Sequence, residues 1–315
     1  MNDSRERLIV ILGPTAVGKT RLSIELAKRL QTDIISGDSM LVYKGFNIGS
    51  AKPSLAEREG IRHYLVDLLA ADDGFSVTDF KSLASGYIAR INQRGRIPVL
   101  AGGTGLYVKS LVEDYVFNVT PGDDAYRAQL EQLAKIHGKA YVHTMLERVD
   151  PQAAARLHVN DFRRVIRALE VYHFGGERIS QQKRAHGQEL AYQVYVVGLR
   201  RERAVLYERI NQRVDLMFSQ GLEDEVRSLL AQGISRQSQA MQGIGYKETA
   251  AWLAGEISRE AAIEQIKKST RHFAKRQMTW YRKMPYIHWY DVDDLSESVL
   301  LEKVYTDIAG YFAKK

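Results

Sequence analysis

Cysteine is absent from the 315 residues, so disulfides, thiolate metal sites and a cysteine nucleophile are all excluded. Long apolar runs are missing as well. The first run, Leu8 to Leu12, is far too short to span a bilayer and leads straight into a glycine turn rather than a cleavage site. A soluble, cytoplasmic chain is expected. There is no low-complexity tract and no evident repeat. His137 and His143 lie six apart and the other histidines are scattered, so no structural zinc is expected. What remains is a globular composition, 45% hydrophobic, long enough to bury a sizeable core. Lys and Arg number 45 against 38 Asp and Glu, a formal charge of +7 that makes polyanionic partners plausible without showing one.

Short β-rich apolar runs recur at Leu8 to Leu12, Asp33 to Ser36, Tyr64 to Leu69, Ile97 to Leu100 and Tyr195 to Leu199, with helical patterns between several of them. A further strand fits Ile287 to Tyr290. Continuous rather than alternating apolar runs suit a parallel sheet covered on both faces. From about Val119 to Tyr192 the strand signals stop and helical text with charged faces takes over. The expected architecture is α/β, a P-loop NTPase-like parallel sheet flanked by helices, formed by residues 1–118 and 193–315 and carrying an inserted helical subdomain at 119–192.

The strongest local signal is Gly13-Pro14-Thr15-Ala16-Val17-Gly18-Lys19-Thr20, a P-loop pattern with a strand before it and a helix after it. Its glycines let successive backbone N–H groups point inward. The helix N-terminus adds positive potential, Lys19 supplies a point charge, and the Thr20 hydroxyl can ligate Mg²⁺. Two adjacent phosphates fit such a cradle, whether from ATP or from a diphosphate ester.

Asp38 follows the second strand at the edge where open α/β sheets build their ligand crevice. Three roles compete for it: a water-mediated magnesium ligand, a general base, or a cap for a helix beginning at Ser39, the last slightly favoured by position. Asp67 is either a magnesium-type carboxylate or an internal ion-pair partner, with Leu68 and Leu69 extending its strand. Arg209 and Arg213 stand four apart on a helix. They form either a surface pair partnered by Glu208 or Asp215 or a site from which one reaches a diphosphate. Between Lys267 and Lys283 there are seven Lys or Arg residues and no acid, interleaved with Phe273, Trp280 and Tyr281. Lys268, Arg271, His272 and Lys275 share one helical face, which is either a solvated basic surface or a nucleic-acid contact. Arg163, Arg164 and Arg167 cannot all share one face, so part of that cluster must pair with Asp161 or Glu170.

Beyond the P-loop, several longer stretches resemble the bacterial tRNA dimethylallyltransferases. They are Ser36-Gly37-Asp38-Ser39-Met40-Leu41-Val42-Tyr43, Asn47-Ile48-Gly49-Ser50-Ala51-Lys52-Pro53 and Pro98-Val99-Leu100-Ala101-Gly102-Gly103-Thr104-Gly105-Leu106-Tyr107 in the first third. Asn160 to Glu170, Gly243 to Glu248 and Ala274 to Tyr281 continue the likeness along nearly the whole chain. The resemblance implies transfer of a dimethylallyl group from dimethylallyl diphosphate to the exocyclic amine of the adenosine beside the anticodon, with pyrophosphate released. It makes Asp38 the base for that amine and Thr104 a neighbour of the reacting centre. It implies tRNA contacts at Asp38, Ser39, Met40 and Leu41, at Thr104 and Arg127, and at Phe162, Arg163, Arg164, Val165, Ile166 and Arg167. Further contacts are implied at Gln242, Gly243, Ile244, Gly245, Tyr246 and Lys247, and at Lys275, Arg276, Gln277 and Trp280. The implied partners are the tRNA anticodon stem-loop and dimethylallyl diphosphate with Mg²⁺; no membrane is involved, and a monomer is the expected unit.

The chemistry suits these parts. An allylic diphosphate departs with extra negative charge on pyrophosphate, which the P-loop, Lys19 and a Thr20-bound Mg²⁺ would stabilise, with Arg209 or Arg213 in reach. An adenine amine is a weak nucleophile that gains from a carboxylate base, and it must be turned out of its stacked loop to be reached. Two other readings use the same P-loop: a small-molecule kinase with the insertion as lid, and an RNA-binding NTPase switch.

Overall fold

A computed structural model of the chain describes residues 4–115, 117, 120, 122–181 and 190–313. The expected insertion start at Val119 lies outside these residues. By internal packing the chain divides into two units, Met1–Asp114 with Gln188–Lys315, and Tyr115–Gly187.

The first unit carries β1 (Arg7–Leu12), α1 (Lys19–Arg29), β2 (Ile34–Ser36), β3 (His63–Tyr64), α2 (Val77–Asn92), β4 (Val99–Gly102) and α3 (Gly105–Val112). The second carries α4 (Asp124–His137), α5 (Lys139–Val149), α6 (Pro151–Arg156) and α7 (Phe162–Gly175). The chain then returns to the first unit as β5 (Gln193–Arg200), α8 (Arg203–Ser219), α9 (Leu222–Ala231), α10 (Tyr246–Leu253), α11 (Arg259–Tyr281), β6 (Ile287–Asp291) and α12 (Glu297–Ala313).

The six strands form one sheet in the order β3-β2-β4-β1-β5-β6, and every pairing is parallel. The run that reads as continuously apolar is split by the pleat between two cores. Leu8, Val10 and Leu12 enter one, while Ile9 and Ile11 enter the other. Each face therefore needs cover, as parallel sheets do. Leu22, Ile24 and Leu26 of α1 pack on the Ile9 face. Tyr107, Val108 and Leu111 of α3 pack on the Leu8 face. The adjacent strands β1 and β4 thus send their chains to opposite sides of the sheet, which opens a crevice at their carboxyl ends.

The third strand is shorter than its apolar run suggests. It ends at Tyr64, and the chain then bends through Leu65 (φ 60°) and Asp67 (φ 54°), both left-handed. The amides of Asp67, Leu68 and Leu69 donate instead to the carbonyls of Leu41 and Val42. The Asp67 carboxylate is held by Lys52 Nζ at 2.5 Å and by Arg58 at 3.4 Å. It is an internal pairing partner, with its oxygens already committed to cations.

In the second unit, Leu130, Val142, Leu146, Ala153, Val165, Ile166 and Leu169 form a separate core. Glu170 is buried beside it and is held from several directions. Its oxygens accept from Asp123 N at 2.7 Å and from Arg127 Nε at 2.8 Å, and Arg167 binds it as well. Burial alone would raise the Glu170 carboxyl, but the Arg167, Asp123 and Arg127 hydrogen bonds outweigh it and hold the group below the usual glutamate range. Glu170→Ala would remove the carboxylate shared by Arg127 and Arg167, leaving Arg127 with Asp124 and Arg167 with the Thr120 carbonyl. Because both arginines are partly exposed and keep other partners, urea unfolding is expected to show a loss of about 1–2 kcal/mol from this unit; a loss within experimental error would show that the cluster contributes nothing. Because the folded-state pKa is depressed, the same contribution is present above the ordinary glutamate value and fades as pH falls through the lowered one.

Candidate active site

The P-loop runs from the end of β1 into α1. Gly18, at φ 116°, stands at the helix N-cap in a conformation that other residues strongly resist. No side chain caps α1, and its first turn carries no acid, so its leading N–H groups remain free to receive an anion. Lys19 folds over the loop and donates to the Gly13 and Pro14 carbonyls at 2.9 and 2.8 Å. Burial, reinforced by the Arg213 charge and opposed by Asp38, brings its ammonium down to about 8. The Thr20 side chain is exposed beside it.

Two glycines bring the ends of β2 and β4 together. A β-carbon on Gly102 would sit 2.5 Å from the Gly37 Cα, so the lack of a side chain at position 102 is what allows this approach. The Gly37 amide donates to Ala101 O at 2.8 Å, and Thr104 N donates to Gly37 O at 3.3 Å. Asp38 and Thr104 therefore follow directly from the same contact, and a β-carbon on Gly103 would lie 3.8 Å from Lys19 Nζ. Asp38 Oδ1 accepts from Met40 N at 2.8 Å, which closes a turn rather than a helix. The helix expected from Ser39 does not form, so the capping role is corrected to this local turn. Thr104 stands at the N-cap of α3, but its hydroxyl makes no cap bond.

The far end of α11 ties these loops into one body. Gln277 is buried. Its amide oxygen accepts from Thr15 N and its amide nitrogen donates to Gly103 O, both at 2.9 Å. Tyr281, also buried, donates its hydroxyl toward Gly103 O at 2.8 Å and Gly13 O at 3.2 Å, and burial drives its ionisation upward. Trp280 packs against Gly105. Gln277 thus serves the scaffold rather than offering a side chain to RNA. Nothing in local spacing marks this bracing role, because its targets lie in another third of the chain.

A cavity of about 1080 Å³ adjoins the loop, lined by Ala16, Gly18, Lys19 and Thr20 from the P-loop side and by Asn47, Lys52, Arg58, Arg209 and Arg213 among others. The surface-pair reading of Arg209 and Arg213 is corrected here. Glu208 is taken by Gln212 and Asp215 by Lys267, while Arg209 Nε donates to Ala16 O at 3.1 Å. Burial lowers the Arg213 guanidinium, Asp38 opposes that shift, and Arg209 adds to it. The cavity is therefore a strongly cationic pocket at the mouth of the P-loop.

The segments implied to touch tRNA divide by exposure. Ser39, Met40 and Leu41 are partly exposed, and a β-carbon on Gly243 would lie 2.6 Å from the Met40 terminal methyl, so the stretches 38–41 and 242–247 meet. Gln242 and Lys247 are exposed, and Ile244 and Gly243 partly so, whereas Gly245 and Tyr246 are buried. The Tyr246 hydroxyl donates to Glu225 at 2.7 Å. On α11, Lys268, His272, Lys275 and Arg276 are exposed, but Arg271 turns to Asn211 at 2.5 Å and leaves the solvated face. In the second unit Arg163 and Arg164 are exposed and Phe162 partly so, while Val165 and Ile166 are buried. Arg127 and Arg167 are engaged by Glu170. The side chains of Val165, Ile166 and Tyr246 are corrected from contacts to core packing, because their surface is already covered.

Comparison with known proteins agrees along the length of the chain. The model of the family described as IPP transferase matches residues 41–284. A tRNA dimethylallyltransferase of Bacillus cytotoxicus is 50% identical over 92% of both chains, and one of Geobacillus thermodenitrificans is 48% identical over 97% of both. Among solved structures, the full-length tRNA isopentenylpyrophosphate transferase of Bacillus halodurans superposes with a TM-score of 0.75 at 42% identity, covering 98% of each chain. A eukaryotic dimethylallyltransferase acting on tRNA gives a TM-score of 0.82 at 29% identity, over 98% of this chain and 80% of that one. With a glycine loop leading into the N-terminus of α1, an aspartate at the end of β2 and this likeness along nearly the whole chain, the chain belongs to the IPP transferase family, the tRNA dimethylallyltransferases.

Proposed function

We propose that this chain moves the dimethylallyl group of dimethylallyl diphosphate onto the exocyclic amine of the adenosine beside the anticodon of tRNA and releases pyrophosphate. The observation that carries the reading is the meeting of Lys19, Asp38 and Thr104 at the ends of three adjacent strands. In the reaction the bond between the first allylic carbon and the bridging oxygen breaks, and its electron pair leaves with pyrophosphate. A bond from the amine nitrogen to that carbon forms, and the amine proton passes to Asp38. Lys19, Arg213 and the N–H groups of α1 bind the charge that builds on the leaving group. The Asp38 oxygen not taken by Met40 N has no hydrogen-bond partner among the described residues and is available to the amine.

Magnesium fits the residues present in one way. Among the described residues no three His, Asp or Glu side chains cluster as a cage, so the ion would be held by the exposed Thr20 hydroxyl, the diphosphate oxygens and water, as is usual for this ion. When bound it would neutralise part of the pyrophosphate charge. No helix among the described residues is long and apolar enough to cross a membrane. The working unit in this reading is one chain in the cytoplasm.

The exposed basic groups of α11 support an RNA-facing role. Lys275→Ala is expected to weaken tRNA binding and to reduce the slope of log affinity against log salt by about one; an unaltered slope would return Lys275 to the solvated surface. The reading as a whole is tested by mass analysis of unmodified tRNA after incubation with prenyl diphosphates. A gain of one five-carbon unit with dimethylallyl diphosphate is expected. No gain with any donor, together with phosphoryl transfer from ATP, would replace the transferase by a kinase.

A further inference from the structure

Part of the cavity that holds Lys19 and Thr20 is formed by Asn47, Ile48, Ala51 and Lys52, a stretch that belongs to no helix or strand. Its backbone is instead gathered onto one carboxylate. Glu225, in the first turn of α9, accepts from Asn47 N at 3.1 Å, Ile48 N at 2.8 Å and Gly49 N at 3.2 Å. It also accepts from the Tyr246 hydroxyl at 2.7 Å, and the Tyr246 oxygen accepts in turn from Ser50 N at 3.1 Å. Successive N–H groups curled in this way make an anion receptor. Here a side chain of the protein fills it, so four consecutive amides are satisfied by two residues from distant helices. The chain that leaves this anchor delivers Lys52 to Tyr43 O at 2.7 Å and to Asp67.

We propose that Glu225 is a positioning residue for the diphosphate site, holding the 47–52 stretch in place as a wall of the cavity; this rests on the reading of that cavity as the donor pocket. Glu225 does not itself line the cavity, and it acts through the loop it holds. Glutamine at 225 keeps one acceptor oxygen but turns an NH₂ group toward the loop amides, so the receptor is half filled and half repelled.

The test uses the full chain with Glu225→Gln and, separately, Tyr246→Phe, which removes the hydroxyl with both of its bonds. Inorganic pyrophosphate binding is measured by calorimetry, and KM for dimethylallyl diphosphate and for tRNA by steady-state kinetics. Glu225→Gln is expected to weaken pyrophosphate binding and to raise the donor KM by roughly tenfold. The tRNA KM and the turnover at saturating donor should stay within about twofold. Tyr246→Phe should move the donor values in the same direction by less. Unchanged pyrophosphate affinity in both variants overturns the proposal. So does tighter binding, the sign expected if Glu225 acted only as a nearby negative charge. Equal loss in donor and tRNA parameters overturns it too, since that is the mark of general damage to the fold. Should Glu225→Gln fail to fold, Tyr246→Phe decides by the same criteria. The pyrophosphate measurement is independent of prenyl transfer, so a wild-type protein that binds pyrophosphate yet modifies no tRNA would defeat the transferase reading while leaving the role of Glu225 open to test.

Discussion

Asp38→Asn is expected to lower turnover by about a hundredfold or more while tRNA affinity stays close to that of the unaltered chain. Asparagine keeps the shape and the oxygen that accepts from Met40 N, so the turn after β2 should survive. What is lost is the ability to take a proton from the amine as the new carbon–nitrogen bond forms. Removing the negative charge also removes the group whose field opposes the lowering of both Lys19 and Arg213, so the donor site should show some secondary change. Single-turnover measurements with pre-bound tRNA and saturating donor separate the two effects, because the observed rate then reports the chemical step rather than donor affinity. Undiminished turnover under saturation would remove Asp38 from the role of base.

Lys19→Ala should produce the other large effect, a fall of about a hundredfold or more in kcat/KM for the prenyl donor. The ammonium is bonded to the Gly13 and Pro14 carbonyls, and an arriving diphosphate offers anionic oxygens in their place. Its interaction should strengthen as charge accumulates on pyrophosphate, so the loss should fall on turnover as well as on binding. A pH dependence follows from the same residue. Below about 8 the Lys19 side chain is charged, and above it the free protein increasingly carries a neutral amine. A bound anion favours the charged form, so pyrophosphate affinity should decline as pH rises through 8 and binding there should take up protons. Calorimetry in buffers of different ionisation enthalpy reads that uptake directly. The Lys19→Ala variant should lack it; if the variant retains it, another group is responsible.

The two effects depend on different parts of the crevice, and the fold explains why they can meet. In the proposed reaction the leaving group would be held by backbone amides and cations after β1, and the base would stand after β2. Strand β4 lies between them, and its Gly102 and Gly103 provide the narrow backbone over which both sides approach. Gln277 and Tyr281 of α11 then bond to the loops after β1 and β4, so the P-loop and the Thr104 loop share one support. Substitution at either residue should disturb positioning rather than a chemical step.

How much of this was legible along the chain depended on whether the determining atoms are neighbours in sequence. The P-loop, its strand and its helix were readable because one short run of backbone makes the cradle. The parallel sheet was readable because strands buried on both faces must be apolar throughout, as Leu8 to Leu12 are. The assignment of Asp38 and Thr104 came from family likeness, since local sequence left Asp38 open to three roles. Tertiary structure alone decided the rest. It cut β3 short because Leu41 and Val42 carbonyls capture the amides of 67–69, and it committed Asp67 to Lys52 and Arg58. It turned Arg209 and Arg213 into the cavity beside the P-loop by occupying Glu208 and Asp215 elsewhere. It also sent Gln277 across 262 residues to Thr15 and Glu225 across 178 to Asn47. A hydrogen bond between residues that far apart leaves no periodicity in either segment, so its partners are settled only when packing brings the two surfaces together.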